Sequence, residues 1–85
     1  MRDCRMPISA REREWADRVR RFLKAELKRA DVTYAELARR LREHGFEDET
    51  EGSVTAKLAR GTFSVTFFLG CLAVLGITAL ALADL

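Results

Sequence analysis

The chain has 85 residues, enough for one small domain whose core buries roughly 60–65% of the surface of the unfolded chain. Its single Pro, its abundant Ala, Leu, Arg and Glu, and the lack of alternating apolar runs between turn residues favour an all-α fold and argue against a sheet. The net charge is +2, yet residues 1–42 carry 13 Lys/Arg against 7 Asp/Glu, whereas residues 43–51 carry five acids and no Lys or Arg.

The two cysteines and the N-terminus concern the cellular location of the chain. Cys4 and Cys71 differ in surroundings, because the first stands near the N-terminus and the second in an apolar segment. This usage indicates free thiols in a reducing compartment rather than a disulfide framework. The N-terminus contains no apolar run of the kind that a secretory signal requires. We therefore expect a cytoplasmic protein.

The first helix is expected over residues 10–30, after a flexible tail at residues 1–8. Ser9 and Glu12 stand at the spacing of a capping box, in which each side chain bonds the other residue's backbone N–H. Charged residues of both signs fill one face, as on a solvated helix surface. Trp15 is expected to anchor the core, since it opens an apolar stripe at the helical period. The stripe consists of Trp15, Val19, Phe22, Leu23, Leu27 and Ala30.

Four further helices complete the predicted domain of residues 9–85. Thr33 caps the second helix, Asp48 or Thr50 caps the third, and Ser64 caps the fourth. Phe63 is expected to pack on Phe68, as a hydrophobic staple does at a helix entry. The four helices are expected over residues 34–44, 50–60, 65–75 and 79–84. The fold class is thus a compact all-α bundle of about five helices.

The second and third helices resemble the helix-turn-helix of repressor and Cro type proteins. Thr33, Leu37 and Ala38 match the capped first helix of that motif, and Arg60-Gly61 matches the basic residue and Gly that end its second helix. The string Cys71-Leu72-Ala73-Val74-Leu75-Gly76-Ile77 is similar to a later part of that domain. The resemblance covers about residues 33–77 and implies a helix-turn-helix core that binds DNA. The acidic turn makes the spacing longer than is usual there.

The chain also resembles a small bacterial family that is known only as a domain of unknown function. This resemblance extends over most of the chain from Trp15 onward, and it implies a fold more than an activity. The matching residues are Trp15, Thr33-Tyr34, Leu37-Ala38, Gly45, Glu49-Thr50-Glu51, Lys57-Leu58-Ala59-Arg60-Gly61-Thr62-Phe63 and Phe67-Phe68-Leu69.

Duplex DNA binding by a homodimeric transcriptional regulator is the first functional hypothesis. Cations on two neighbouring helices would hold phosphates, while Ser and Thr on the third helix would reach base edges. The candidate DNA-binding residues are Arg39, Arg40, Arg42, Ser53, Thr55, Lys57 and Arg60. The fourth helix is apolar on nearly all sides, which indicates a dimer contact. The candidate dimer residues are Phe67, Phe68, Leu72, Leu75, Leu80, Leu82 and Leu85.

Two alternatives use the same residues differently. A protein-interaction or oligomerisation module would keep the fold without DNA contact, and its partner could dock on the acidic turn 47–51. That turn also has a simpler interpretation, because acids favour helix N-termini. A single-span membrane protein is the other alternative, since residues 61–83 are uncharged. Ser64, Gly76 and Thr78 argue against that span, because they are expected to cap or end helices.

Catalysis is not expected from this sequence. His44 is the only histidine, and it is interpreted as a residue of the last turn of the second helix, where partial positive charge is favoured. No metal site is expected, because three or four suitable ligands do not stand together. No cofactor is expected, and the Gly residues do not form a phosphate-binding loop.

Overall fold

The computed structural model describes residues 10–85, and within them it contains four α-helices and no strand. The helices are α1 (Ala10–Ala30), α2 (Tyr34–Glu43), α3 (Glu51–Arg60) and α4 (Val65–Val74). The all-α prediction is confirmed, and each of these helices begins and ends within one residue of its expected position. The predicted tail at residues 1–8 and the Ser9 cap lie outside the described residues.

The predicted fifth helix differs from the structure. Residues 77–81 are irregular, and only Leu82–Asp84 form a single 3₁₀ turn. Asp84 Oδ2 accepts the backbone N–H of Ala81 at 3.0 Å, which closes the turn. A segment this short cannot recover the cost of nucleating an α-helix without packing along its length. Residues 10–85 therefore contain four α-helices rather than about five.

Local hydrogen bonds explain where α2, α3 and α4 begin. Thr33 Oγ1 accepts the backbone N–H of Glu36 at 3.1 Å, and Ser64 Oγ accepts that of Phe67 at 3.0 Å. Thr50 is one of the two residues predicted to cap the third helix. It forms a full capping box in which its own N–H donates to Ser53 Oγ. Each bond satisfies an N–H that has no partner within its helix.

The core lies around α2, which packs against both α3 and α4. Buried apolar side chains from all four helices meet there. The buried residues are Leu23, Leu27, Val32, Leu37, Ala38, Leu41, Val54, Leu58, Phe67, Cys71 and Leu72. Phe63 stacks on Phe68 with ring centroids 6.2 Å apart, so the expected contact at the entry to α4 is confirmed. The turn between α3 and α4 depends on Gly61, whose φ of 76° is the left-handed conformation that favours glycine.

Trp15 corrects the sequence interpretation of α1. Its side chain is 41% exposed rather than buried, and residues 11–14 before it are exposed as well. Only the later part of the apolar stripe enters the core, through Leu23 and Leu27. The N-terminal half of α1 faces the end of α3 and the start of α4 across open space, so these neighbours cover Trp15 only in part. The Arg18 guanidinium lies 5.0 Å from the Trp15 ring centroid and covers part of one face.

The close contact of α4 with α2 gives a first testable prediction. A Cβ atom on Gly70 would lie 2.7 Å from the Phe46 ring and 3.4 Å from Leu41 Cδ2. We expect Gly70→Ala to destabilise the fold by about 1–2 kcal/mol, because overpacking outweighs the gain in helix propensity. Urea denaturation measures this change. Gly52→Ala is the matched control, since that Cβ meets only Thr50 Oγ1 at 3.8 Å, and stability equal in the two variants would contradict the packing.

Candidate functional site

A buried polar group joins the acidic turn to α3. Glu49 is 7% exposed, its carboxylate forms an ion pair with Lys57 Nζ, and Ser53 Oγ lies 2.6 Å from Glu49 Oε1. The Lys57 ammonium also lies 4.6 Å from the centroid of the Phe67 ring. We call Glu49, Ser53 and Lys57 the Glu49 cluster. Ser53 and Lys57 turn toward Glu49, because a buried carboxylate needs a hydrogen-bond donor and a cation.

The Glu49 cluster engages two of the α3 side chains predicted to contact DNA. Ser53 and Lys57 are both engaged inside the domain, and Thr55 Oγ1 donates to the backbone oxygen of Glu51 at 2.7 Å. The exposed side of α3 carries instead small side chains and one acid near its start. These exposed residues are Glu51, Gly52, Thr55, Ala56, Ala59 and Arg60.

The three predicted arginines of α2 are engaged with neighbouring groups. Arg39 pairs with Glu36 and Glu43, and Arg40 Nε donates to Glu36 at 2.8 Å. Arg42 donates to the backbone oxygen of Glu49 at 2.9 Å, which ties α2 to the acidic turn. Hydrogen bonds from Arg39 and then Arg40 lower the pKa of Glu36 to about 2, so this carboxylate stays charged across the physiological range.

Arg60 is the predicted DNA-binding residue that lies in a groove. The groove, of about 800 Å³, runs between the first turns of α1 and the end of α3. Arg11, Arg13 and Arg60 have no ion-pair partner among residues 10–85, whereas Arg20 pairs with Asp17 and donates to the Ala59 oxygen at 3.4 Å. We call this surface the arginine groove. It is lined by Arg11, Arg13, Glu14, Ala16, Asp17, Arg20, Arg60, Gly61 and Thr62.

A second, apolar groove adjoins the arginine groove. It has a volume of about 330 Å³ and lies between α1 and the start of α4. Val65 is 72% exposed at its edge, and Leu69, one turn further along α4, is 56% exposed. We call this surface the Trp15 groove. Its apolar lining consists of Trp15, Val19, Phe63, Val65 and Phe68, and it shares Ala16, Gly61 and Thr62 with the arginine groove.

The predicted dimer residues differ in how far the protomer itself buries them. Phe67 and Leu72 are 2% and 7% exposed, so their side chains are already used by the core of the protomer. Leu82 is 74% exposed near the C-terminus. The remaining four, Phe68, Leu75, Leu80 and Leu85, are half-buried. Sequence reasoning missed Trp15, Val65 and Leu69 as an exposed set, and it missed Arg11, Arg13 and Arg20 as neighbours of Arg60.

A metal site and a membrane-spanning helix are two further possibilities for the described residues. Within residues 10–85, no three His, Cys, Asp or Glu side chains stand close enough to hold a metal ion. In that part of the chain no single helix has the length and apolar character to cross a membrane. Taken together, α3 and α4 are long and apolar enough to do so by length and composition alone, but the chain bends by 119° between them.

Cys71 gives a testable prediction about reactivity. Its thiol is fully buried beside the core, and burial, with the Glu49 carboxylate nearby, raises the pKa of Cys71 to about 12. The thiolate is the reactive form, so the raised pKa keeps Cys71 almost entirely in its unreactive thiol form near pH 8. In a Cys4→Ser variant we expect iodoacetamide to label Cys71 only as fast as the domain unfolds, as peptide mass spectrometry would measure. Rapid labelling of the folded protein would contradict the burial.

Comparison with known proteins identifies a family for most of the chain. The family model described as "Domain of unknown function (DUF6471)" matches residues 15–80. This match begins at Trp15 and includes α2, α3 and α4. It also includes the residues between α3 and α4 that line both grooves. No curated protein and no solved structure shows significant similarity to the chain. The chain belongs to the DUF6471 family, a domain family of unknown function.

Proposed function

We propose that this domain is a protein-interaction module that binds its partner in the Trp15 groove. The observation that carries the proposal is the exposure of Trp15 and Val65 on one concave surface. Leu69, one turn further along α4, extends the exposed apolar surface beyond the groove. Small domains rarely leave large apolar side chains together in water unless another surface covers them. Tryptophan in particular is enriched at the energetic centres of protein interfaces, since it buries a large area with few rotatable bonds.

The use of polar side chains within the domain supports the same proposal. DNA affinity comes mainly from cations that replace counterions at phosphates. Lys57 would have to leave Glu49 to do so, and the abandoned carboxylate would stay buried at a cost of several kcal/mol. Glu47, Asp48 and Glu51 are exposed where α3 begins, and their charges repel phosphate.

Duplex DNA binding is the second candidate, and the arginine groove favours it. Arg11, Arg13 and Arg60 are free of acidic partners within the described part of the chain, so they are available to phosphates. The small exposed side chains of α3 would also permit close approach to a groove of DNA. The transcriptional regulator expected from the helix-turn-helix resemblance would then hold DNA through Arg13 and Arg60 rather than through Lys57.

The test exploits the fact that Trp15 is the only tryptophan of the chain, so its fluorescence reports on the groove directly. The full chain is titrated with three synthetic amphipathic helical peptides without tryptophan, which share apolar positions and carry neutral, acidic or basic flanks. We expect a saturable blue shift with at least one peptide, because apolar contact removes the indole from water. The same chain is titrated with mixed-sequence duplex DNA in a mobility assay.

Two variants distinguish the groove from apolar surface in general. Val65→Ser removes an apolar edge of the Trp15 groove, whereas Leu82→Ser removes an equally exposed apolar side chain near the C-terminus. Only the first is expected to weaken peptide binding. No response to any of the three peptides, together with DNA binding that weakens steeply with salt, would overturn the proposal in favour of the second candidate.

A further inference from the structure

The Trp15 groove and the arginine groove form one continuous surface. Both grooves are lined by Ala16 of α1 and by Gly61 and Thr62. These shared residues lie between the apolar Trp15 groove and the basic arginine groove. Arg18 lies over the Trp15 ring and adds a cation to the apolar side. A bound segment that fills the Trp15 groove therefore has its flanking side chains within reach of the arginine groove.

Positive charges outnumber negative ones on this surface, although Glu12 lines the Trp15 groove. Four arginines line the arginine groove against Glu14 and Asp17, and Asp17 is already paired with Arg20 and Arg21. The pKa of Asp17 is lowered chiefly by its hydrogen bond from Arg20, which keeps that carboxylate engaged inside the domain. Counted by formal charge, the four arginines still exceed the two acids of the arginine groove. A guanidinium group can bind a carboxylate or a phosphate through two hydrogen bonds. The apolar groove beside these arginines favours the carboxylates of a peptide, because a peptide also supplies apolar side chains.

We propose that the partner in this surface is an acidic amphipathic segment. Its apolar side chains occupy the Trp15 groove, while its carboxylates pair with Arg13 and Arg60 in the arginine groove. This inference rests on the proposed protein-interaction function and adds the chemistry of the partner. A second copy of this chain, paired two-fold through the same surface, fits less well, since it would bring another basic α1 against the arginines, and like charges across an interface are costly.

The experiment compares the acidic peptide with its charge-reversed twin, in which every Glu is Lys. At about 50 mM salt, where screening is weak, we expect the acidic peptide to bind the full chain at least about tenfold more tightly, as the Trp15 fluorescence measures. The preference should shrink as salt is added. In the Arg13→Glu, Arg60→Glu double variant it should disappear or reverse.

A matched variant controls for net charge. Lys24→Glu with Lys28→Glu changes the net charge of the chain by the same amount at exposed positions that line neither groove. We expect it to weaken the acidic peptide by less than about threefold, because these charges act only at long range. Circular dichroism checks that both double variants stay folded.

Each other outcome has a definite meaning. Equal binding of the acidic and basic peptides would overturn the acidic partner while leaving the protein-interaction function standing. Failure of every peptide would overturn that function too. Displacement of the acidic peptide by duplex DNA would assign the arginines to phosphate and overturn the inference. A blue shift that grows with protein concentration alone, together with a dimer in sedimentation, would assign the Trp15 groove to a second copy and also overturn it.

Discussion

Lys57→Ala is expected to lower the free energy of unfolding by about 3 kcal/mol, because it leaves the Glu49 carboxylate buried without its cation. The Lys57 side chain is 30% exposed and that of Glu49 only 9%, so the loss should fall near the lower end of the range for buried pairs. The contact of the ammonium with the Phe67 ring is lost at the same time. Urea denaturation followed by circular dichroism measures the change.

A double variant separates the ion pair from the rest of the side chain. Glu49→Gln with Lys57→Met keeps the volume of both residues and removes both charges, so no charge is left buried alone. We expect its stability to lie within about 1 kcal/mol of the original chain. If Lys57→Ala alone costs less than about 0.5 kcal/mol, as exposed substitutions do, then Lys57 does not form a buried ion pair with Glu49.

Phe67→Ala is expected to cost about 3–5 kcal/mol, the usual range for removing a buried aromatic ring from a core. Phe67 is 2% exposed, and its ring meets Phe63 edge-on with centroids 5.3 Å apart. Leu69→Ala on the same helix is the control, since that side chain is 56% exposed. Equal losses for the two variants, measured by urea denaturation, would show that α4 turns a different face to the core.

The boundaries of α2, α3 and α4 could be predicted because they depend on neighbouring residues. Thr33, Thr50 and Ser64 each accept a backbone N–H three residues ahead, so the signal lies within one turn of the chain. The C-terminal segment after Gly76 has no such support. Only Asp84 closes a turn there, and apolar composition alone did not establish a helix.

The position of Trp15 could not be predicted from periodicity. An apolar stripe indicates which face of a helix turns inward, but not how far along the helix the neighbouring elements extend. The stripe from Trp15 to Leu27 is continuous in sequence, yet the core covers only its later part. The exposed tryptophan therefore follows from the open groove between α1 and the start of α4.

The burial of Glu49 was also missed, although the sequence holds a signal for it. Glu49, Ser53 and Lys57 are spaced by four residues, which places them on one side of a helix and of the turn before it. Within a run of acids, charge counting treats Glu49 like Glu47 and Asp48, which are exposed. Only the path of the turn decides which carboxylate enters the core.

The central claim is that the surface around Trp15, and not the exposed side of α3, binds the partner. A ¹H–¹⁵N correlation spectrum tests it most directly, since the indole N–H of Trp15 gives a single side-chain signal. With the acidic peptide, we predict shifts of this signal and of the Gly61 and Val65 amides. Shifts confined to Gly52, Thr55 and Ala59 on adding duplex DNA, with no response of Trp15 to the peptide, would contradict the account.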